Sequence, residues 1–182
     1  MHKIKIYSHR IRLILQFLMI SLPIMNLYFW LTIQTESDFL TSTGIVQLSY
    51  DITSFTQDPL TVTTRLLAFL VSMLPCGILV YALGVLVKLF KSYEQSQVFT
   101  VSTADCFKKI GLSFFYWVIG GFIYSGLISV TLSFNNPPGD RILVLSFAGL
   151  DAISILCGFI ILVIAWVMKE AQLIAEEQQY TI

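Results

Sequence analysis

Charge is scarce in this sequence. Lysine, arginine, aspartate and glutamate together make up 12% of its 182 residues, against about 25% in soluble domains. That shortage argues against a water-soluble fold, and without a basic patch it argues equally against direct nucleic-acid binding. Histidine is almost missing. His2 and His9 are too few and too isolated to hold a metal. The three cysteines are scattered, Cys76 and Cys157 in apolar runs and Cys106 in a basic stretch. None falls in a segment expected outside the membrane, so they read as small, soft packing residues rather than as a disulfide or a thiol site. No Gly-rich phosphate loop, nucleophile elbow or His-Glu-x-x-His helix is present. No catalytic residue, metal site or cofactor is expected, and the chain is not expected to be an enzyme.

What is abundant is apolar length. Four runs are long enough to cross a bilayer, for which about 20 apolar residues suffice. The expected fold is an all-α membrane protein with four transmembrane helices in two hairpins, over residues 11–33, 63–96, 103–134 and 141–178 of a single domain 1–182. The first run follows a basic start, but it exceeds the apolar core of a signal peptide and lacks a small-x-small cleavage site. It reads as an uncleaved helix. Pro23 and Pro75 lie inside the first two runs, where a kink is tolerable in a bundle.

Between the first two helices, the outer segment 34–62 is polar. Val46, Leu48, Tyr50 and Ile52 alternate there with Gln47, Ser49, Asp51 and Thr53. Period two predicts a short strand in a small outer cap. Asp58-Pro59 reads as a turn or helix start. In the third run Gly121, Ser125 and Ser129 recur at four-residue spacing, which predicts close approach of another helix backbone.

The central stretch from Lys88 to Lys109 is polar and basic. KSYEQSQ contains no Gly or Pro, so the second helix is expected to continue roughly two turns past the apolar run. Ser102 with Asp105 three residues on resembles a capping box and marks the next helix start. The ends of the second and fourth helices also look alike: Gln97-Val98-Phe99-Thr100-Val101 against Gln178-Gln179-Tyr180-Thr181-Ile182. Two readings stand, a parallel repeat with these ends paired as strands, and chance over five positions.

Lysine and arginine orient the chain. With both termini inside, the inner segments hold Lys3, Lys5, Arg10, Arg12, Lys88, Lys91, Lys108, Lys109 and Lys169, nine of eleven. Arg65 and Arg141 are left outside. The N and C termini and the bridge 88–109 are therefore expected to be cytoplasmic. Asp151 is the only acid within an apolar run. It lies about 26 Å from Met168 at the helical rise per residue, near the outer surface. Two readings remain, a cation or proton site and an interfacial aspartate paired with Arg65 or Arg141.

Two inner stretches carry a resemblance. LFKSYEQSQVFTVSTADCFKKIG is similar to the pattern LF-x-x-Y-x-x-G-x-x-FT-x-x-N-x-x-x-L-x-x-IG, and EAQLIAEEQQYTI to the tail EG-x-x-L-x-x-E-x-x-LTV. On these residues the chain resembles a bacterial family of four-helix inner-membrane proteins catalogued as domain of unknown function 2975. Phe99, Thr100, Ile110, Gly111, Glu176, Thr181 and Ile182 match. Ser96 replaces a glycine, Thr103 an asparagine and Ala171 a glycine. The resemblance implies a multi-pass protein of the bacterial inner (cytoplasmic) membrane and, as a partner, a helix-turn-helix regulator encoded nearby. It implies no reaction.

These readings favour a non-enzymatic regulatory or accessory protein that docks a cytoplasmic partner on its inner surface. Candidate functional residues are Asp151, Phe99, Thr100, Glu176, Glu177 and Thr181. Exposed opposite charges on the inner extensions, Glu94, Glu170, Glu176 and Glu177 against the lysines, contribute only about 0–1 kcal/mol per pair, and the lysines can instead face anionic lipid. The rivals are a small oligomeric transporter or channel subunit, with Ser72, Ser125 and Ser154 as its few polar residues, and a lipid-binding membrane protein.

Overall fold

The computed structural model describes residues 2–35, 39, 52–56, 59–96, 100–137 and 139–179. It contains four long helices: α1 (His2–Thr32), α2 (Val62–Glu94), α3 (Val101–Ser133) and α4 (Gly149–Gln179). Each is long and apolar enough to cross a membrane. Large apolar side chains lie exposed along all four, among them Phe17, Leu70, Phe122 and Leu156. In water that surface would be costly, whereas in lipid it is the ordinary outside of a bundle. The protein is an all-α, four-helix membrane protein. Pro23 and Pro75 lie within uninterrupted helices, each removing one backbone donor from its ladder.

No strand occurs among the described residues, so the expected outer cap with a strand is not supported. Val46 to Asp51 lie outside those residues. Ile52–Ser54 instead forms one turn of 3₁₀ helix, closed by the Phe55 N–H on the Ile52 carbonyl at 3.0 Å. A 3₁₀ turn eclipses positions three apart, so Ile52 and Phe55 are buried together in one apolar cluster. The alternating pattern would place them on opposite faces of a strand. Spacing of three, not two, satisfies both side chains.

The chain gathers into two compact units. The first comprises Met1–Ile20, Ile78–Val118 and Ala148–Ile182, the second Ser21–Gly77 and Ile119–Phe147. In the first unit α3 and α4 meet at a pair of glycines. A Cβ on Gly111 would lie 2.9 Å from Leu162 Cγ and 3.2 Å from the Gly158 carbonyl oxygen, and one on Gly158 would lie 3.1 Å from the Gly111 oxygen. Only glycine permits this approach. Phe115 sets its ring edge-on to Phe159 beside it, centroids 5.1 Å apart.

In the second unit Phe29, Trp30, Ile33, Ala68, Ile128 and Leu132 join Ile52, Phe55 and Leu60 in the core. Trp30 is 1% exposed and donates its indole N–H to Ser72 Oγ at 2.9 Å. Asn26 Nδ2 donates to the same oxygen at 2.8 Å. Buried polar groups in apolar surroundings need such partners. Arg65 donates Nη1 to the Leu31 carbonyl at 2.7 Å and Nε to the Leu60 carbonyl at 3.2 Å.

The fourth helix begins at Gly149 rather than near Ile142. Residues 141–148 are neither helix nor strand, and every second amide from Ile142 to Ser146 bonds to a serine of α3. Ser133 Oγ accepts the Ile142 N–H at 3.1 Å, Ser129 Oγ the Val144 N–H at 3.0 Å, and Ser125 Oγ the Ser146 N–H at 3.1 Å. The match is geometric. Four residues of helix rise about 6.0 Å, and two residues of extended chain about 6.6 Å. A serine on every fourth helical residue therefore meets every second amide of a segment running antiparallel to it. Leu145 reaches to 2.9 Å from where a Cβ on Gly126 would stand. The expected small-residue row holds a backbone, but that of an extended segment. Gly121 has no neighbour within 4 Å of a Cβ, so the row runs from Ser125 to Ser133.

Candidate functional site

The end of α2 and the start of α3 carry the polar contacts from which the candidate site of the first unit is built. α2 stops at Glu94, short of the two extra turns expected. Ser96 then takes a left-handed conformation, φ 63°, and its N–H turns back to the Tyr93 carbonyl at 3.0 Å. This is a helix C-cap of the kind glycine normally fills, and it is the position where the resembling pattern has glycine.

α3 opens with Thr100, not Ser102, as its cap. Thr100 Oγ1 accepts the Thr103 N–H at 3.3 Å, and Thr103 Oγ1 accepts the Thr100 N–H at 3.0 Å. This reciprocal pair satisfies two of the helix's free donors, with threonine in the place usually held by Glu or Gln. Thr103 is 0% exposed, so its hydroxyl has no water to turn to. The position where the pattern has asparagine is thus the third residue of a cap, a role that a side-chain oxygen of either residue serves. Val101 is helical, which removes it from the strand pairing envisaged with the C-terminus. Val98, Phe99 and Tyr180–Ile182, Thr181 among them, lie outside the described residues.

Beneath the bridge, Val85, Leu89 and Cys106 are buried together, with Leu86, Tyr93, Phe107 and Ile110 packed against them. Leu89, Tyr93, Phe107 and Ile110 all occupy positions of the resembling pattern. α1 is tied in by charge. Arg12 Nε donates to Glu94 Oε1 at 2.9 Å, and His9 Nδ1 lies 3.3 Å from the same oxygen. Sequence reading placed Glu94 among the lysines of the bridge. A cross-helix pair 82 residues apart leaves no local spacing to find it by, beyond the fact that both groups lie where an apolar run gives way to polar sequence.

Lys88, Lys91, Lys108 and Lys109 are exposed, and none is in an ion pair among the described residues. Glu176 and Glu177 belong to α4, with side chains outside the described set. Asp151 sits in the first turn of α4. Its Oδ2 accepts the Ala148 N–H at 2.7 Å, and its negative charge stands where the helix dipole favours it. Arg65 is held by carbonyls and Arg141 lies over the Phe134 ring at 5.2 Å. Asp151 therefore caps a helix start. The three serines considered for a polar pathway are engaged too: Ser72 with Asn26 and Trp30, Ser125 with Ser146, and Ser154 with the Leu150 carbonyl.

Residues 30–182 match the family described as protein of unknown function (DUF2975). No curated protein and no solved structure matches the chain. The match covers most of the sequence, and the chain belongs to this family, as the two inner motifs indicated.

Proposed function

We propose that this four-helix membrane protein is a non-enzymatic regulatory or accessory protein of the bacterial inner membrane. It docks a cytoplasmic protein partner on the bridge and on the end of α4. The observation that carries this reading is the contrast within the bridge between a fixed scaffold and free charge. The reciprocal threonine cap, the apolar cluster and the Arg12–Glu94 pair hold the hairpin end in place, while four lysines project from it without a counter-ion among the described residues. A preorganised charged surface recognises a partner at low ordering cost. The lysine and arginine asymmetry supports a cytoplasmic placement.

The family resemblance points to a helix-turn-helix regulator as the first partner to test. Chemical crosslinking of the full chain in native membranes, followed by identification of the bound protein, is the direct experiment. Deletion of Glu176–Ile182 is expected to abolish the crosslink while leaving the thermal midpoint of the purified protein in place. A crosslink of unchanged yield in that folded variant would reject the docking role. The engagement of Ser72, Ser125 and Ser154 with protein partners weighs against the rival reading, a transporter or channel subunit working as an oligomer.

A further inference from the structure

A cavity lies between α3 and α4 in the first unit, beyond their glycine contact. Gly111 and Gly158 bring the two backbones together. Seven residues before Gly111 on α3 and seven after Gly158 on α4, about 10 Å at the helical rise, stand two more small residues, Ala104 and Ala165. Both are buried. Between them opens a cavity of about 220 Å³, floored by Ala104, Leu162 and Ala165. Its rim carries Lys108, Lys169, Asp105 and Trp166. Each of these four side chains is exposed. Neither lysine is in an ion pair among the described residues.

We propose that this cavity binds one phospholipid with an anionic, hydroxyl-bearing headgroup, of the phosphatidylglycerol type. The rim has two cations and one anion, net +1, which complements a single phosphodiester. The two ammonium groups come from different helices, so one phosphate can accept from both, each through a separate oxygen. Asp105 cannot approach a phosphate but can accept a hydrogen bond from a headgroup hydroxyl. The apolar floor gives the upper acyl chain a surface. Exposed Trp166, an amphipathic ring beside two lysines at the end of a membrane span, marks the level of the headgroups. Basic pockets between membrane helices are a known form of lipid-headgroup site.

The test uses the full chain in nanodiscs containing phosphatidylglycerol, phosphatidylethanolamine and phosphatidylcholine in equal amounts, released into the gas phase for native mass spectrometry. One phosphatidylglycerol per chain is expected to be retained, roughly tenfold over phosphatidylcholine. Lys108→Gln with Lys169→Gln should erase the preference while leaving the thermal midpoint unchanged. Asp105→Asn should leave it in place. Should the double variant fail to fold, each single variant is expected to lower retention by itself. Equal retention of the three lipids by the native sequence overturns the proposal, and so does preference for phosphatidylethanolamine that Asp105→Asn removes. If the double variant loses a crosslinked protein but keeps phosphatidylglycerol, the rim serves the docking surface and the lipid site is refuted.

Discussion

The two halves of α3 face the same problem and solve it differently. In residues 101–118 the helix must lie close to α4, and glycine removes the side chain that would hold the two apart. In residues 119–133 it must lie close to an extended backbone, and serine supplies the hydroxyl that an extended amide requires. A small residue at the point of closest approach is common to both. Two helices arrive with their backbone groups already bonded and need only room. An extended segment arrives with bare amides and needs acceptors, because an unpaired N–H in an apolar setting costs about 1–3 kcal/mol. Small size is thus the shared requirement, and polarity is what separates the two interfaces.

The largest effect is expected from breaking the glycine contact. In Gly158→Val the new Cβ would stand 2.7 Å from Phe115 Cε2 and 3.2 Å from Phe114 Cβ. Phe115 is packed against Phe159, so relief requires α4 to move. A loss of about 3 kcal/mol is expected, read as a lowered midpoint in denaturant titration of the detergent-solubilised protein. An unchanged midpoint would show that the glycine approach is not a requirement of the packing.

Ser129→Ala comes next and strikes the other half. Ser129 is 0% exposed; its hydroxyl donates to the Gly126 carbonyl while accepting from Val144. Alanine leaves the Val144 amide without an acceptor, for about 2 kcal/mol. Amide exchange should quicken at Val144 and its neighbours and stay unchanged at Gly111 and Gly158. Uniform quickening at all these positions would erase the distinction between the two halves.

That distinction was only partly open to sequence reading. The four spans were legible because apolar length is a direct consequence of bilayer thickness. The row at Ser125 and Ser129 was recognised as a close-approach surface, but spacing alone does not say whether a helix or a strand-like segment fills it. Ile142 to Phe147 is apolar apart from Ser146, so in sequence it merges with the helix that follows. The separating signal is Asp151, whose carboxylate caps the start at Gly149; in sequence it reads instead as a cation or proton site or as an interfacial aspartate. The predicted strand failed for a similar reason. Ile52 contributes to a period of two with its predecessors and to a spacing of three with Phe55, and burial favoured the latter. Contacts such as Arg12–Glu94 depend on tertiary placement and leave no local pattern.

The start of α3 provides a smaller test, since its threonine pair also supplies acceptors to bare amides, here those of a helix terminus. Thr100→Ala removes the oxygen that accepts the Thr103 N–H. The expected loss is about 1 kcal/mol, with faster exchange confined to the first turn of α3. Thr100→Ser should retain most of the stability, because the oxygen rather than the methyl group makes the cap. If serine were as damaging as alanine, the methyl packing would be the stabilising element and the comparison with the Ser129 row would fail.

The smallest effect is a gain, and it tests whether the bridge is held by geometry or by the identity of its polar residues. Ser96 is at φ 63°, where the Cβ of an L-residue crowds the following carbonyl, at roughly 1 kcal/mol or more. Glycine adopts the same conformation freely but loses more chain entropy on folding. The two terms oppose each other, so Ser96→Gly is expected to stabilise by somewhat under about 1 kcal/mol. The readout is a modest rise in denaturation midpoint, with crosslinking to any docked partner unchanged. A fall in stability would mean that the serine side chain, not the backbone turn, closes α2. Loss of the crosslink at raised stability would instead place Ser96 on the recognition surface, and the bridge would then join a folding element and a contact element at one residue.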